Sequence, residues 1–177
     1  RGKATYAKTL TLEELPEEKD NYLEINGANS SSDVFFNGEH LAHHDGGYST
    51  FRVLLPKTSK NENLLVIQVD NSANDRVYPQ MADFTFYGGL YRDVNIISVP
   101  EVHFDLDYYG GPGVMATPHT EGSLDVKVFV KGKSDEKLSY VLLDKEGKVI
   151  TEALSDDTDV TLSVPSPHLW HGRKDPY

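Results

Sequence analysis

Apolar positions along this chain alternate with polar ones or cluster in short β-branched runs, and no segment holds a 3.6-residue apolar period over three turns. Glycine, proline, asparagine and aspartate punctuate the runs every few residues. The pattern predicts strands around 4–11, 22–27, 32–37, 39–43, 48–54, 63–70, 91–98, 102–108, 113–117, 123–130, 138–144, 148–153 and 159–164. Asn37-Gly38 lies between two such runs and carries the chemistry of a two-residue type I′ hairpin. Asp144-Lys145-Glu146-Gly147 marks a second hairpin, with Gly147 free to take the left-handed conformation. The fold class read from this pattern is all-β.

Pro100 interrupts the strand series after Ile96-Ile97-Ser98-Val99, and a fresh set of strands follows it. The expected organisation is one sandwich over 1–99 and a second over 100–177, joined by a linker too short to let them swing freely. A length of 177 residues is enough for both. The chain carries 17 basic and 28 acidic residues, a net charge of −11. That balance speaks against nucleic acid or an anionic membrane surface as partner, since neither gains from a polyanion. No run approaches the roughly 20 apolar residues of a membrane span, so the chain is expected to be soluble. The absence of cysteine excludes disulfides, thiolate metal sites and a cysteine nucleophile.

Little in the chain offers chemistry. His40, His43 and His44 invite a metal reading, but His43 and His44 alternate faces on a strand, and a solvated hairpin end accounts for them. The acidic run Ser155-Asp156-Asp157-Thr158-Asp159 lacks the glycine and bidentate glutamate of a helix-flanked calcium loop and reads as a solvated turn between strands. No phosphate loop, serine elbow or zinc spacing is present. The distinctive stretch is Asp83-Phe84-Thr85-Phe86-Tyr87-Gly88-Gly89-Leu90-Tyr91-Arg92-Asp93-Val94, in which an isolated acid precedes two glycines and a new strand. Adjacent glycines let backbone lie close to something bulky. Phe84, Phe86 and Tyr87 are expected to pack in a core or between domains, with sugar stacking as the other use of such rings. Arg92 and Asp93 are expected on opposite faces of a strand. Trp170 is expected to be a buried anchor of the second sandwich.

That stretch resembles the N-terminal sugar-binding domain of glycoside hydrolase family 2, bacterial β-galactosidases in particular. Val34-Phe35-Phe36-Asn37-Gly38-Glu39-His40-Leu41, Asp45-Gly46-Gly47-Tyr48 with Phe51, and Asn63-Leu64-Leu65-Val66-Ile67-Gln68-Val69-Asp70-Asn71 are similar to the family's successive strands. Tyr109-Gly110-Gly111-Pro112-Gly113-Val114 and Pro167-His168-Leu169-Trp170 with Pro176-Tyr177 resemble its second domain. The resemblance implies a galactose-binding-like jelly-roll sandwich followed by an incomplete immunoglobulin-like sandwich.

It further implies that Asp83 reaches an active site on a neighbouring barrel and accepts hydrogen bonds from sugar hydroxyls, with Phe84 and Tyr87 as neighbours. In the full-length enzyme a monovalent or divalent cation is expected nearby, though no metal or cofactor is assigned to this chain. The acid and the nucleophile belong to the barrel, so no residue here is catalytic. The chain is expected to be a piece of a longer polypeptide acting on a β-galactoside, an oligomer of bacterial cytoplasm or periplasm. A stand-alone carbohydrate-binding module, and β-glucuronidase or β-mannosidase parents, are the other readings.

Overall fold

The computed structural model describes residues 1–175. Pro176 and Tyr177, part of the C-terminal resemblance, lie outside the described residues. Strands β1 (Lys3–Thr11), β2 (Asp20–Ile25), β3 (Ala28–Asn29), β4 (Ser31–Phe36), β5 (Glu39–Asp45), β6 (Phe51–Leu54), β7 (Glu62–Asp70), β8 (Gly89–Leu90) and β9 (Val94–Val99) pair only with one another. They form two main sheets, ordered β1-β7-β4-β5 and β6-β2-β9, and a short β3-β8 ribbon. Leu10, Val34, Phe36, Leu65, Ile67 and Val69 of the first sheet pack against Leu23, Ile25, Phe51 and Val53 of the second. Every second residue of β4 and β7 is buried, which is the period of a strand with one face on a core. Asn37 and Gly38 turn the β4–β5 hairpin with φ of 51° and 88°, the positive pair that a type I′ turn requires.

The remaining strands are β10 (His103–Phe104), β11 (Val114–His119), β12 (Ser123–Val128), β13 (Val130–Lys131), β14 (Leu138–Leu143), β15 (Val149–Ser155) and β16 (Asp159–Ser163). Their sheets are β11-β12-β16, β14-β15 and β10-β13. Val128, Tyr140 and Leu162 form a core much smaller than the first, and Val141, Leu143 and Leu154 are exposed on the outer side of the hairpin. The protein is all-β, a jelly-roll sandwich followed by an incomplete immunoglobulin-like one. Among the described residues no helix is long and apolar enough to cross a membrane.

Several expectations need correction. The strand expected at 91–98 begins only at Val94, because Asn26 takes the Asp93 carbonyl and Tyr91 and Arg92 turn back over Gly27. Arg92 and Asp93 therefore precede the strand and lie on neither of its faces. The strand expected over 102–108 reduces to β10, and the run from 123 breaks at Phe129, whose amide and carbonyl pair with Gly113 and Asp105 instead. Trp170 is 75% exposed and anchors nothing. Pro165 and Pro167 withhold the amides that a final strand would need, so the segment joins no sheet and its indole stays outside.

The two sandwiches meet across the outer face of sheet β6-β2-β9. Glu24 and Arg52 are register partners there, and the guanidinium Nε donates to Glu24 Oε2 at 2.7 Å. Arg52 Nη1 then reaches into the second sandwich and donates to the carbonyls of Leu106 (3.2 Å) and Gly111 (2.7 Å). Two residues before Glu24 on β2, and on the same face, Tyr22 is fully buried although it points away from the first core. Its hydroxyl lies 3.3 Å from both His103 Nε2 and Lys131 Nζ, and Lys131 pairs with Asp107. The Asp107 bond raises the Lys131 pKa, while burial raises that of Tyr22.

Gly110 has a φ of +66°, and a Cβ there would stand 2.1 Å from the Thr50 carbonyl oxygen of the first sandwich. Gly147 is equally left-handed, at +82°, yet its added Cβ meets nothing. Gly147→Ala is therefore expected to cost about 1 kcal/mol of backbone strain, and Gly110→Ala at least about 2 kcal/mol because the junction must also open. Denaturant unfolding of the two variants measures the difference. Equal losses would show that the Thr50 contact constrains nothing.

Candidate functional site

Residues 71–88 connect β7 to β8 without regular structure. The first part organises itself: Asn74 Oδ1 accepts from the amides of Arg76 (2.9 Å) and Val77 (3.0 Å), and Gln80 Nε2 donates to the Val77 carbonyl (2.8 Å). An asparagine that mimics a backbone turn in this way needs no sheet behind it. Val77 is buried beneath the turn. Beyond Gln80 the chain swings outward, and it returns at Tyr87, whose carbonyl accepts from Asn29 Nδ2 at 2.8 Å.

Asp83 sits on the outward part. It is exposed, and it is the only acid among residues 81–88. Among the described residues no group donates a hydrogen bond to its carboxylate and no cation pairs with it. Phe84 and Tyr87 are 60% and 67% exposed, so of the two expected placements the core is excluded for both. The core behind them is already filled by strand residues, and their segment lies beyond the sheet edge. Phe86 alone turns inward, stacking obliquely on Phe84 with ring centroids 4.8 Å apart. It lines a cleft of about 240 Å³ together with Arg1, Asn29, Ser30, Asn71 and Gln80. Asp83 is outside that cleft.

The glycine pair behaves as its composition suggests. A Cβ on Gly88 would stand 2.3 Å from Asn71 Nδ2, and one on Gly89, with φ +77°, 2.3 Å from the Tyr6 hydroxyl. Tyr6 Oη also accepts from the Leu90 amide at 3.3 Å. The close approach was legible in the sequence, but Asn29, Asn71 and Tyr6, which make it, were not. Asn71 lies 17 residues before Gly88, just past the end of β7, and Tyr6 lies on β1, 83 residues before Gly89, so nothing local marks them.

A lone acceptor-only carboxylate near two exposed rings in sequence can take two sugar hydroxyls at once. It cannot hydrolyse a glycoside, which needs a second carboxyl group across the bond. No cluster of three or more histidine, cysteine or acidic side chains among the described residues is placed to hold a metal ion.

The histidines lie elsewhere, on the outer face of the β4–β5 hairpin. Asp33 is directly opposite His43, and its Oδ1 takes both His43 Nδ1 and His40 Nε2 at 2.9 Å. His43 Nε2 is 3.3 Å from Asp45 Oδ1. His44 faces the other way, stacking on Phe51 at 4.2 Å and bonding Ser49. The Asp33 hydrogen bond raises the His43 pKa, whereas burial lowers that of His44. Protonated His43 is favoured by folding, so its contribution is complete below the ordinary value of 6.5 and is lost as pH climbs through the raised one. Because the side chain is 43% exposed, the effect is small. The thermal midpoint is expected to fall as pH rises from 6.5 to about 9, and to fall less in His43→Gln. Equal slopes in the two proteins would contradict this assignment.

No protein-family model matches the chain. It is 29% identical over 194 residues to a β-glucuronidase of Bacteroides fragilis, covering 100% of this chain and 28% of that enzyme. It is 25% identical over 177 residues to a β-galactosidase of Thermoanaerobacter pseudethanolicus, covering 94% of this chain and 24% of the relative. Among solved structures, an FMN-binding β-glucuronidase from Faecalibacterium prausnitzii superposes with a TM-score of 0.81 at 38% identity, over 95% of this chain and 28% of that one. The chain thus spans 24–28% of the length of these three proteins. Its homologues are glycoside hydrolase family 2 enzymes, β-glucuronidases and β-galactosidases, and the chain corresponds to an N-terminal portion of those longer proteins.

Proposed function

We propose that this chain is the non-catalytic N-terminal part of a retaining family 2 glycosidase, in which residues up to about 99 form one domain and those after it a second. Asp83 completes the glycone pocket of a barrel domain that follows in the same polypeptide, and the two sandwiches brace that barrel. The observation that carries this reading is the unpaired, exposed Asp83 carboxylate, on a segment that also exposes Phe84 and Tyr87 and runs into the Gly88-Gly89 turn. Its exposed rings sit on a connecting segment rather than along a concave sheet face. That placement favours docking against another domain over a free-standing carbohydrate-binding module.

Terminal β-glucuronides are the first substrate class to test, because relatives named β-glucuronidase include the solved structure at 38% identity. Terminal β-galactosides are the second, because β-galactosidases match along 94% of the chain. Any cation at Asp83 would take most of its ligands from the barrel, since Asp83 brings one carboxylate.

In the intact polypeptide, Asp83→Ala is expected to lower kcat/KM on p-nitrophenyl β-D-glucuronide or β-D-galactoside at least about tenfold, roughly 1.4 kcal/mol of transition-state stabilisation. Folding stability should hardly change, since the carboxylate is exposed and unpaired. Asp93→Ala, equally exposed but beyond the glycine turn, serves as the comparison and should turn over normally. The 177-residue chain by itself should hydrolyse neither substrate. Full activity of Asp83→Ala would end the assignment.

A further inference from the structure

The segment that carries Asp83 leaves the sandwich for 18 residues, numbers 71–88, and its outward half has no ladder to hold it. Something must fix where Asp83 points. The Asn74–Gln80 turn is a rigid unit by its own hydrogen bonds, and its one long cation, Arg76, extends away from it to the end of β5. There Arg76 Nε donates to Asp45 Oδ2 at 2.9 Å. The other oxygen of Asp45 accepts from Ser31 Oγ at 2.5 Å and faces His43 Nε2 at 3.3 Å, so the carboxylate is oriented from both sides before Arg76 arrives. Ser31 is buried and is the register partner of Asp45 across the hairpin. The Asp45 pKa is lowered first by the Ser31 hydroxyl and then by Arg76, as fits an acceptor that stays ionised.

We propose that Asp45 and Arg76 are positioning residues: a sheet-end carboxylate, oriented by Ser31 and His43, clamps the Asn74–Gln80 turn and so sets the position of Asp83, seven residues further on. The functional half of this inference rests on Asp83 being the sugar-contacting acid. An exposed ion pair is weak in a folded core, but this segment has few other ties to the sandwich. Among the others are the paired Gly2–Asn71 hydrogen bonds at its start (2.8 and 3.2 Å), the buried Val77, Arg1 Nη2 on the Gln80 carbonyl at 2.5 Å and Asn29 Nδ2 on the Tyr87 carbonyl at 2.8 Å. With so little holding it, a small contribution changes the closed population by a measurable factor. Bond geometry matters too, because Nε is the donor and a lysine has none in that place.

The test uses Arg76→Ala, Arg76→Lys and the exchanged pair Asp45→Arg with Arg76→Asp. Amide hydrogen exchange over residues 76–87 of the 177-residue chain should quicken about threefold to fivefold in Arg76→Ala and partly recover in the exchanged pair. In the intact polypeptide, Arg76→Ala should lower kcat/KM about threefold when Asp83 is present and have no further effect in an Asp83→Ala background. Unchanged exchange in Arg76→Ala overturns the clamp. Quickened exchange with a fully active Asp83→Ala upholds the clamp and removes the sugar-contacting reading of Asp83. Additive losses from Arg76→Ala and Asp83→Ala would overturn the link between them.

Discussion

The arrangement of the whole chain depends on one nearly buried ion pair. Arg52 and Glu24 are only 12% and 13% exposed, and Arg52 Nη1 donates to two carbonyls of the other sandwich. Removing such a pair from water is costly, so its value lies in geometry more than in strength. A planar guanidinium fixed to a sheet by Glu24 can satisfy the carbonyls of Leu106 and Gly111 only in one mutual position of the two sandwiches. Asn95 Nδ2 supports the other carboxylate oxygen of Glu24 at 3.3 Å, completing a row across β6, β2 and β9. The junction thereby holds two sheets whose ladders never cross.

That fixed junction gives the exposed features a consistent direction. Tyr22 loses all solvent contact on a face that faces no core of its own, which places the second sandwich firmly over β2. Thr50 and Gly110 touch backbone to backbone beside it. The connecting segment with Asp83 lies at the β3–β8 end of the first sandwich, which neither main core covers. A domain docked there would meet an unpaired carboxylate, two aromatic rings and a rigid frame behind them.

Much of the fold was legible from alternation. The long strands β1, β2, β4, β5 and β7 of the first sandwich, the Asn37-Gly38 turn and the punctuation at Gly147 follow from local rules that the structure obeys, whereas the short β3 and β8 do not show in the pattern. What escaped was long-range or aperiodic. Nothing in the local sequence tells which side chains crowd Gly88 and Gly89, because Asn71 and Tyr6 are brought there by the sheet. Phe84 and Tyr87 were expected in a core or between domains; they are not in a core, because their segment has no sheet to deliver them. Trp170 failed for a related reason, since prolines keep its segment out of the ladder. The ion pair of Arg52 was also hidden: charged residues on a strand read as a solvated face until a second sandwich is placed over them. The site was legible only in part. Asp83 could be picked out as an isolated acid ahead of a glycine pair, but the Asp45–Arg76 contact that anchors its segment joins residues 31 positions apart.

The most direct measurement is a crystal structure of the intact polypeptide with a glycone-like inhibitor in its active site. The account predicts an Asp83 carboxylate oxygen about 2.6–3.0 Å from a hydroxyl of the bound sugar, with Phe84 or Tyr87 against the neighbouring domain. A bound sugar out of reach of Asp83, with that carboxylate in open solvent, would contradict it.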